Sequence, residues 1–312
     1  MIYQDLPTPF FVLAPMDDVT DTVFRQLIAT TAPPDLFFTE FINVDALQSA
    51  GRKATLPRLL HTSSEKPIIA QIWGKTPENY YKSAKDIVEM GFDGVDINMG
   101  CPVKDVVQNG CCSALINNRE LALEIIQATK EGSGSLPVSV KTRLGFNEID
   151  YSWHELLLNQ KLNALSIHGR TRKQMSKVPA NWQAIGEIVK LRDKLSPATK
   201  IIGNGDVTTR AQGEGLAKQF NLDGIMIGRG VFNDPYVFSA ESPWENITPT
   251  QRKELYTKHV KLFASTWQNQ EKPTVVLNKF CKIYISGFDG AKELRETLMK
   301  AKSTDEILGL LA

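Results

Sequence analysis

No apolar run in this chain of 312 residues approaches the ~20 positions that a membrane-crossing helix needs. Charge of one sign is lacking too. The 36 Lys and Arg stand against 35 Asp and Glu, a net charge of +1, too small for a protein that grips nucleic acid by bulk charge alone, although a local basic face stays open. Cysteine is scarce: Cys101, Cys111, Cys112 and Cys281 form no Cys-x-x-Cys pair and no disulfide-scaffold density. No His or Cys pair completes a tetrahedral set, so no metal is expected. The segment Met1 to Pro9 has neither a charged leader nor a long apolar stretch after it. These absences together point to a protein of the reducing cytoplasm that is neither secreted nor membrane-bound.

What the chain has is alternation. Apolar residues make up 42 %, enough for a full core. Short, almost continuously apolar runs predict strands over Phe10–Ala14, Leu36–Thr39, Ile68–Ile72, Val95–Asn98, Val138–Thr142, Ala164–His168, Lys200–Gly203 and Gly224–Ile227. Amphipathic stretches separate most of them. Asn79–Met90 ends at Gly91, Leu121–Lys130 opens on an Asn cap and closes at Gly132, and Asn181–Leu195 and Arg210–Phe220 share the same apolar spacing. Eight strands of this kind are buried on both faces of a parallel sheet. The expected fold is a (β/α)8 TIM barrel. A doubly wound open sheet is the alternative, but the polar residues at strand ends (Glu40, Gln71, Asn98, Lys141, His168, Asn204, Arg229) converge only in a barrel.

The pattern changes near Pro243. Residues 1–243 are read as the barrel and residues 244–312 as a helical domain, with a turn around Ser286–Gly290. The second part holds eleven Lys and Arg against eight Asp and Glu. Its most basic stretch carries Lys258, Lys261, Lys272, Lys279 and Lys282 against Glu271.

The stretch Asp96-Ile97-Asn98-Met99-Gly100-Cys101-Pro102 is the most telling. A strand runs straight into Gly and Pro, which hold Cys101 at the rim. A free cysteine is most often a small buried hydrophobe, but one at a strand end can serve as a proton donor or as a nucleophile. Cys111 and Cys112 follow an Asn-Gly turn and read as small residues packed under a loop. Gly203-Asn204-Gly205-Asp206 and Gly228-Arg229-Gly230 stand at the seventh and eighth strand ends, the usual phosphate site of a barrel. Lys141, ending an apolar strand, needs either an ion pair or a ligand that becomes an anion. A reduced flavin is such a ligand, His168 could share that task or orient the ring, and Gln71 offers the donor and acceptor that a flavin pyrimidine edge requires.

These segments resemble the tRNA-dihydrouridine synthases. The matching pieces are Leu13-Ala14-Pro15-Met16, Thr39-Glu40-Phe41, Ala70-Gln71-Ile72-Trp73-Gly74, Asp96 to Pro102 with Lys104, Val140-Lys141-Thr142-Arg143, His168-Gly169-Arg170-Thr171-Arg172, Asn204-Gly205-Asp206 and Gly228-Arg229-Gly230. The resemblance implies an FMN enzyme that reduces uridine in tRNA to 5,6-dihydrouridine with NADPH (or NADH) as reductant. Flavin N5 would pass hydride to uracil C6, and Cys101 would protonate C5. It further implies that Pro15, Met16, Gln71, Lys141, His168, Asn204, Gly205, Asp206, Gly228 and Arg229 hold FMN. Asn98, Lys104, Arg170 and Arg172 would face the RNA, with the helical part supplying backbone contacts. No protein partner is implied, and a monomer is expected. Cys112 departs from the pattern, standing where glycine is common in the family. Two other readings carry the same residues: an FMN barrel enzyme acting on a free pyrimidine, and an RNA-binding barrel without chemistry.

Overall fold

The computed structural model describes residues 2–267 and 272–312. Eight parallel strands, β1 (Phe10–Leu13), β2 (Phe37–Asn43), β3 (Ile68–Trp73), β4 (Gly94–Met99), β5 (Val138–Arg143), β6 (Ala164–His168), β7 (Lys200–Asn204) and β8 (Gly224–Ile227), pair in the order β1-β8-β7-β6-β5-β4-β3-β2. A parallel bridge between Val12 and Leu36 joins the two ends, so the sheet is closed. Alternation along each strand decides the layers. Phe10, Val12, Phe38, Ile69, Ala164, Ile202 and Met226 fill the barrel interior. Phe11, Leu13, Ala70, Val95, Ile97, Leu165, Ile167 and Ile225 belong to the larger outer core, together with the helices.

Helices of seven residues or more are α1 (Thr22–Thr31), α2 (Pro77–Glu89), α3 (Arg119–Ser133), α4 (Tyr151–Asn159), α5 (Trp182–Leu195), α6 (Arg210–Phe220), α7 (Pro249–Thr266), α8 (Asn278–Tyr284), α9 (Ala291–Leu298) and α10 (Thr304–Leu311). Side chains cap most starts. Asn118 accepts from the Leu121 amide and Asn181 from that of Ala184. Gly91 follows α2 at φ +76°, the left-handed position that favours glycine.

Two expectations change. The second strand runs on to Asn43 through an irregularity between Phe38 and Phe41. Its polar Glu40 is accommodated because Arg58 and Lys272 meet the buried carboxylate. Gly132 does not end its helix; α3 runs to Ser133 and Gly134 follows at φ +58°. Gly132 instead lets α3 approach α2, since a Cβ there would lie 2.2 Å from the Tyr81 carbonyl oxygen. Gly132→Ala is therefore expected to destabilise the fold by about 1–3 kcal/mol through overpacking, measurable by denaturant unfolding.

Past β8 the regular elements among the described residues are all helices or short helical turns. An aromatic cluster seats these helices on the barrel. Phe24 of α1 stacks on Phe280 of α8 with centroids 5.0 Å apart, and Phe232 lies 6.3 Å from both. Polar ties reach the β1–α1 loop: Lys272 Nζ lies 2.9 Å from Asp21 Oδ2, and Lys279 Nζ donates to the Asp18 carbonyl at 2.7 Å. These two lysines are thus committed to the barrel. Glu271, counted against the basic stretch, lies outside the described residues.

Candidate active site

At the C-terminal ends of the strands lies a cavity of about 700 Å³. Nine of the expected cofactor residues line it: Pro15 and Met16 after β1, Lys141, His168, Asn204, Gly205 and Asp206, and Gly228 and Arg229. Arg170, expected at the RNA, lines it too. Gln71 is fully buried and is not part of the wall.

Gln71 belongs to a polar chain that threads the barrel interior. Below, Tyr3 Oη donates to Ser139 Oγ (3.0 Å), which donates to Asp96 Oδ1 (2.6 Å). Above, Gln71 Nε2 donates to Asp96 Oδ2 (2.7 Å), and Asn98 Nδ2 donates to Gln71 Oε1 (2.9 Å). Asn98 Oδ1 then accepts from the amides of Gly100 and Cys101, both at 3.0 Å. Asn98 thus folds the Cys101 loop back onto its own strand, and its carbonyl is spent on that. Burial raises the Asp96 carboxyl to about pH 6, against the pull of Ser139, Gln71 and Lys141.

Lys141 is the unpaired cation of the cavity. Among the described residues it has no ion pair, and burial, with Arg143 beside it, lowers its pKa to about 8. Across the register from it, Ser166 Oγ is buried without a hydrogen bond. His168 is held neutral, its pKa pushed down to about 2 by burial and by Lys141, Arg143, Arg170 and Arg229. Its Nε2 faces Arg170 Nη1 at 3.0 Å; since guanidinium only donates, Nε2 accepts. Arg170 also donates to the Val178 carbonyl and pairs with Asp206. Asp206 Oδ1 takes Arg229 at 3.3 Å. The loops after β6, β7 and β8 are therefore tied by one carboxylate between two arginines.

Cys101 sits on the rim, partly exposed and outside the cavity wall. Its loop is fixed from three sides: Ser113 Oγ donates to the Cys101 carbonyl (2.8 Å), Arg143 Nε to the Gly100 carbonyl (2.7 Å), and Asn98 accepts as above. The thiol is acidified to about pH 7. The largest cause is the Cys112 thiol, which donates to the Cys101 sulfur; burial opposes this, while the Val103 amide and Arg143 assist. Cys112 is the residue that sequence reasoning missed. It packs under its loop as the sequence suggests, fully buried, but it also faces Cys101, and it does so at φ +53°, a left-handed backbone that costs a residue with a Cβ about 1 kcal/mol. The available signal was a cysteine at a place where the chain turns as glycine does.

The remaining expected RNA residues lie outside the cavity. Lys104 is exposed at the start of a short helix, and Arg172 packs its guanidinium over Phe146, 5.2 Å from the ring centroid.

A family model described as dihydrouridine synthase (Dus) matches residues 12–311. The chain belongs to the dihydrouridine synthase family. It is 48 % identical to "Probable tRNA-dihydrouridine synthase 2" of Bacillus subtilis (strain 168), over 99 % of this chain and 95 % of that protein. It is 45 % identical to "Probable tRNA-dihydrouridine synthase" of Staphylococcus aureus (strain COL), over 99 % of this chain and 94 % of that one. Solved structures with the same barrel include morphinone reductase, with a TM-score of 0.56 at 12 % identity, covering 76 % of this chain and 86 % of that one. The old yellow enzyme homologue of Zymomonas mobilis has a TM-score of 0.51 at 14 % identity, covering 73 % and 89 %. At such identities the likeness is one of fold. In a dihydrouridine synthase chain the match spans both the barrel and the helices after it.

Proposed function

We propose that this chain reduces specific uridines of tRNA to 5,6-dihydrouridine, with FMN as its cofactor and NADPH as reductant. The observation that carries the reading is a partly exposed thiol, acidified to about pH 7, on the rim of a cavity whose half-buried Lys141 has no ion pair among the described residues. A proton donor works best with a pKa near the working pH, and Cys101 meets that condition. The family and the relatives named above support the substrate.

The residues fit a flavin mononucleotide. Lys141 offers a positive charge to a ring edge that becomes anionic, and neutral His168 adds a ring nitrogen without a second charge. Gly205 and Gly228 keep the outer end of the cavity free of side chains, beside Arg229, which is 66 % exposed on its side chain. Bound flavin would supply the hydride for uracil C6. Cys101 would deliver the proton to C5, and Asn98, Ser113 and Arg143 hold its loop for that purpose. Gln71 acts from beneath, as the link between Asp96 and Asn98.

Residues 244–312 are proposed to hold the RNA backbone. Lys258, Lys261 and Lys282 are exposed, whereas Lys272 and Lys279 bind the barrel and leave this set. If phosphate contacts dominate, tRNA affinity should fall steeply as salt rises; a filter-binding titration at several salt concentrations measures it, and a flat response removes the helices from the interface.

The deciding experiment is anaerobic. The flavin of the purified enzyme is reduced, unmodified tRNA is added, and reoxidation is followed by absorbance. Stoichiometric reoxidation by tRNA but not by free uridine is expected. Reoxidation by a free pyrimidine would assign a small-molecule substrate instead, and an enzyme with no flavin to reduce would overturn the reading altogether.

A further inference from the structure

The Cys101 loop and the segment carrying Cys112 are bound backbone to backbone. The Ser113 amide and hydroxyl both donate to the Cys101 carbonyl, at 3.4 and 2.8 Å. Cys112 directly precedes Ser113 in the chain, so these two bonds set its backbone beside that of Cys101. The Cys112 thiol also faces the Cys101 sulfur closely enough to be the largest cause of its acidity. One thiol is reachable from solvent and the other is buried, as an attacking and a resolving cysteine should be. Cys111 is a poorer partner: its thiol is directed to the Asn109 carbonyl at 3.7 Å.

We propose that Cys101 and Cys112 form a redox pair, in which a peroxide oxidises Cys101 and Cys112 closes it into a disulfide. In the first step the Cys101 sulfur attacks the peroxide O–O bond. An S–O bond forms, hydroxide leaves and is protonated to water, and Cys101 is oxidised by two electrons to the sulfenic acid. In the second step the Cys112 sulfur attacks that of Cys101. The S–S bond forms, the S–O bond breaks, and the departing hydroxide takes the Cys112 proton as a second water. Two thiols and one peroxide thus give one disulfide and two waters.

The electrostatics follow the sequence of events. In the resting enzyme the Cys112 contact and Arg143 favour the Cys101 thiolate, the attacking form. The Cys112 thiol is held protonated by burial and by the charge on Cys101. Once Cys101 is a neutral sulfenic acid the second of these is gone, and Cys112 is freed to react. The disulfide leaves no thiol proton at the cavity rim. Its regulatory consequence rests on the proposed role of Cys101 as proton donor: oxidation would stop uridine reduction reversibly and shield Cys101 from sulfinic acid.

The test uses the purified flavin-loaded enzyme, treated with stoichiometric hydrogen peroxide, alkylated with iodoacetamide and digested with trypsin without reduction. Peptides 86–104 and 105–119 carry the cysteines concerned. They are expected as one linked species, lighter than the free pair by two hydrogen atoms, in the native enzyme and in Cys111→Ser. Cys112→Gly should give no link and accumulate sulfinic acid on Cys101. Dithiothreitol should restore dihydrouridine formation to the oxidised native enzyme and not to the oxidised Cys112→Gly variant. Direct passage of native Cys101 to sulfinic acid, or a link that survives in Cys112→Gly, would overturn the pair. A linked enzyme that still forms dihydrouridine at the full rate would keep the disulfide and overturn both the switch and the proton-donor role.

Discussion

Cys101→Ala is expected to keep its flavin and to lose dihydrouridine formation by ~10²–10⁴-fold, the range for removal of a positioned proton donor. The retention follows from geometry. Cys101 is outside the cavity wall, and the bonds that shape its loop run through the backbone of Gly100 and Cys101 and the side chains of Asn98, Ser113 and Arg143. The thiol itself contributes to none of them. Flavin content by absorbance and dihydrouridine by mass spectrometry of digested tRNA read the two halves separately. A variant that forms product at the native rate would move the proton donor elsewhere. The pH dependence has a definite sign. The donor is the protonated thiol, so its contribution is full below about pH 7 and is lost as pH rises through that value. The rate of alkylation, which reports the thiolate, should rise through the same midpoint.

Arg25→Met is expected to cost about 3–5 kcal/mol of stability, the loss seen when one partner of a buried ion pair is removed. Arg25 and Glu65 are both 0 % exposed, with Nε and Oε2 2.6 Å apart. The arginine also donates to the carbonyls of Thr20 and Leu60, at 2.5 and 2.6 Å. Glu65 Oε1 accepts from Thr22 Oγ1 and from the Thr62 amide, both at 2.7 Å. Methionine would leave one buried charge and two carbonyls without their donor. Denaturant unfolding measures the loss, and a cost below about 1 kcal/mol would mean that water replaces the guanidinium. The damage should reach the cavity, because Thr20 Oγ1 is bonded to the amide and carbonyl of Met16 at 2.9 and 3.1 Å. Weaker flavin retention should therefore accompany the loss of stability.

Neither member of this pair stood out in the chain as written, and the reason is general. Arg25 and Glu65 are 40 positions apart on different elements, and an isolated charge in a sequence usually belongs to a solvated face. Lys141 was legible because it interrupts an apolar strand: a cation after Val138-Ser139-Val140 needs either an ion pair or a ligand. Gly132 looks like a helix end because local sequence records only that a helix can end at glycine. The neighbouring helix, which needs the missing side chain, enters only with the packing.

The division between what the sequence determined and what the tertiary structure decided follows the range of the interactions. Periodicity, glycine at strand ends and the position of Cys101 are local properties. They determined the eight strands, the barrel, and most of the residues that meet at its mouth. Contacts between distant segments decided the rest: Gln71 lies beneath the cavity rather than in its wall, Arg170 turns inward to His168 and Asp206, and Lys272 and Lys279 are drawn onto the barrel. The acidity of Cys101 belongs to this second group. It depends chiefly on a thiol eleven residues away, brought against it by a loop whose course no local propensity records.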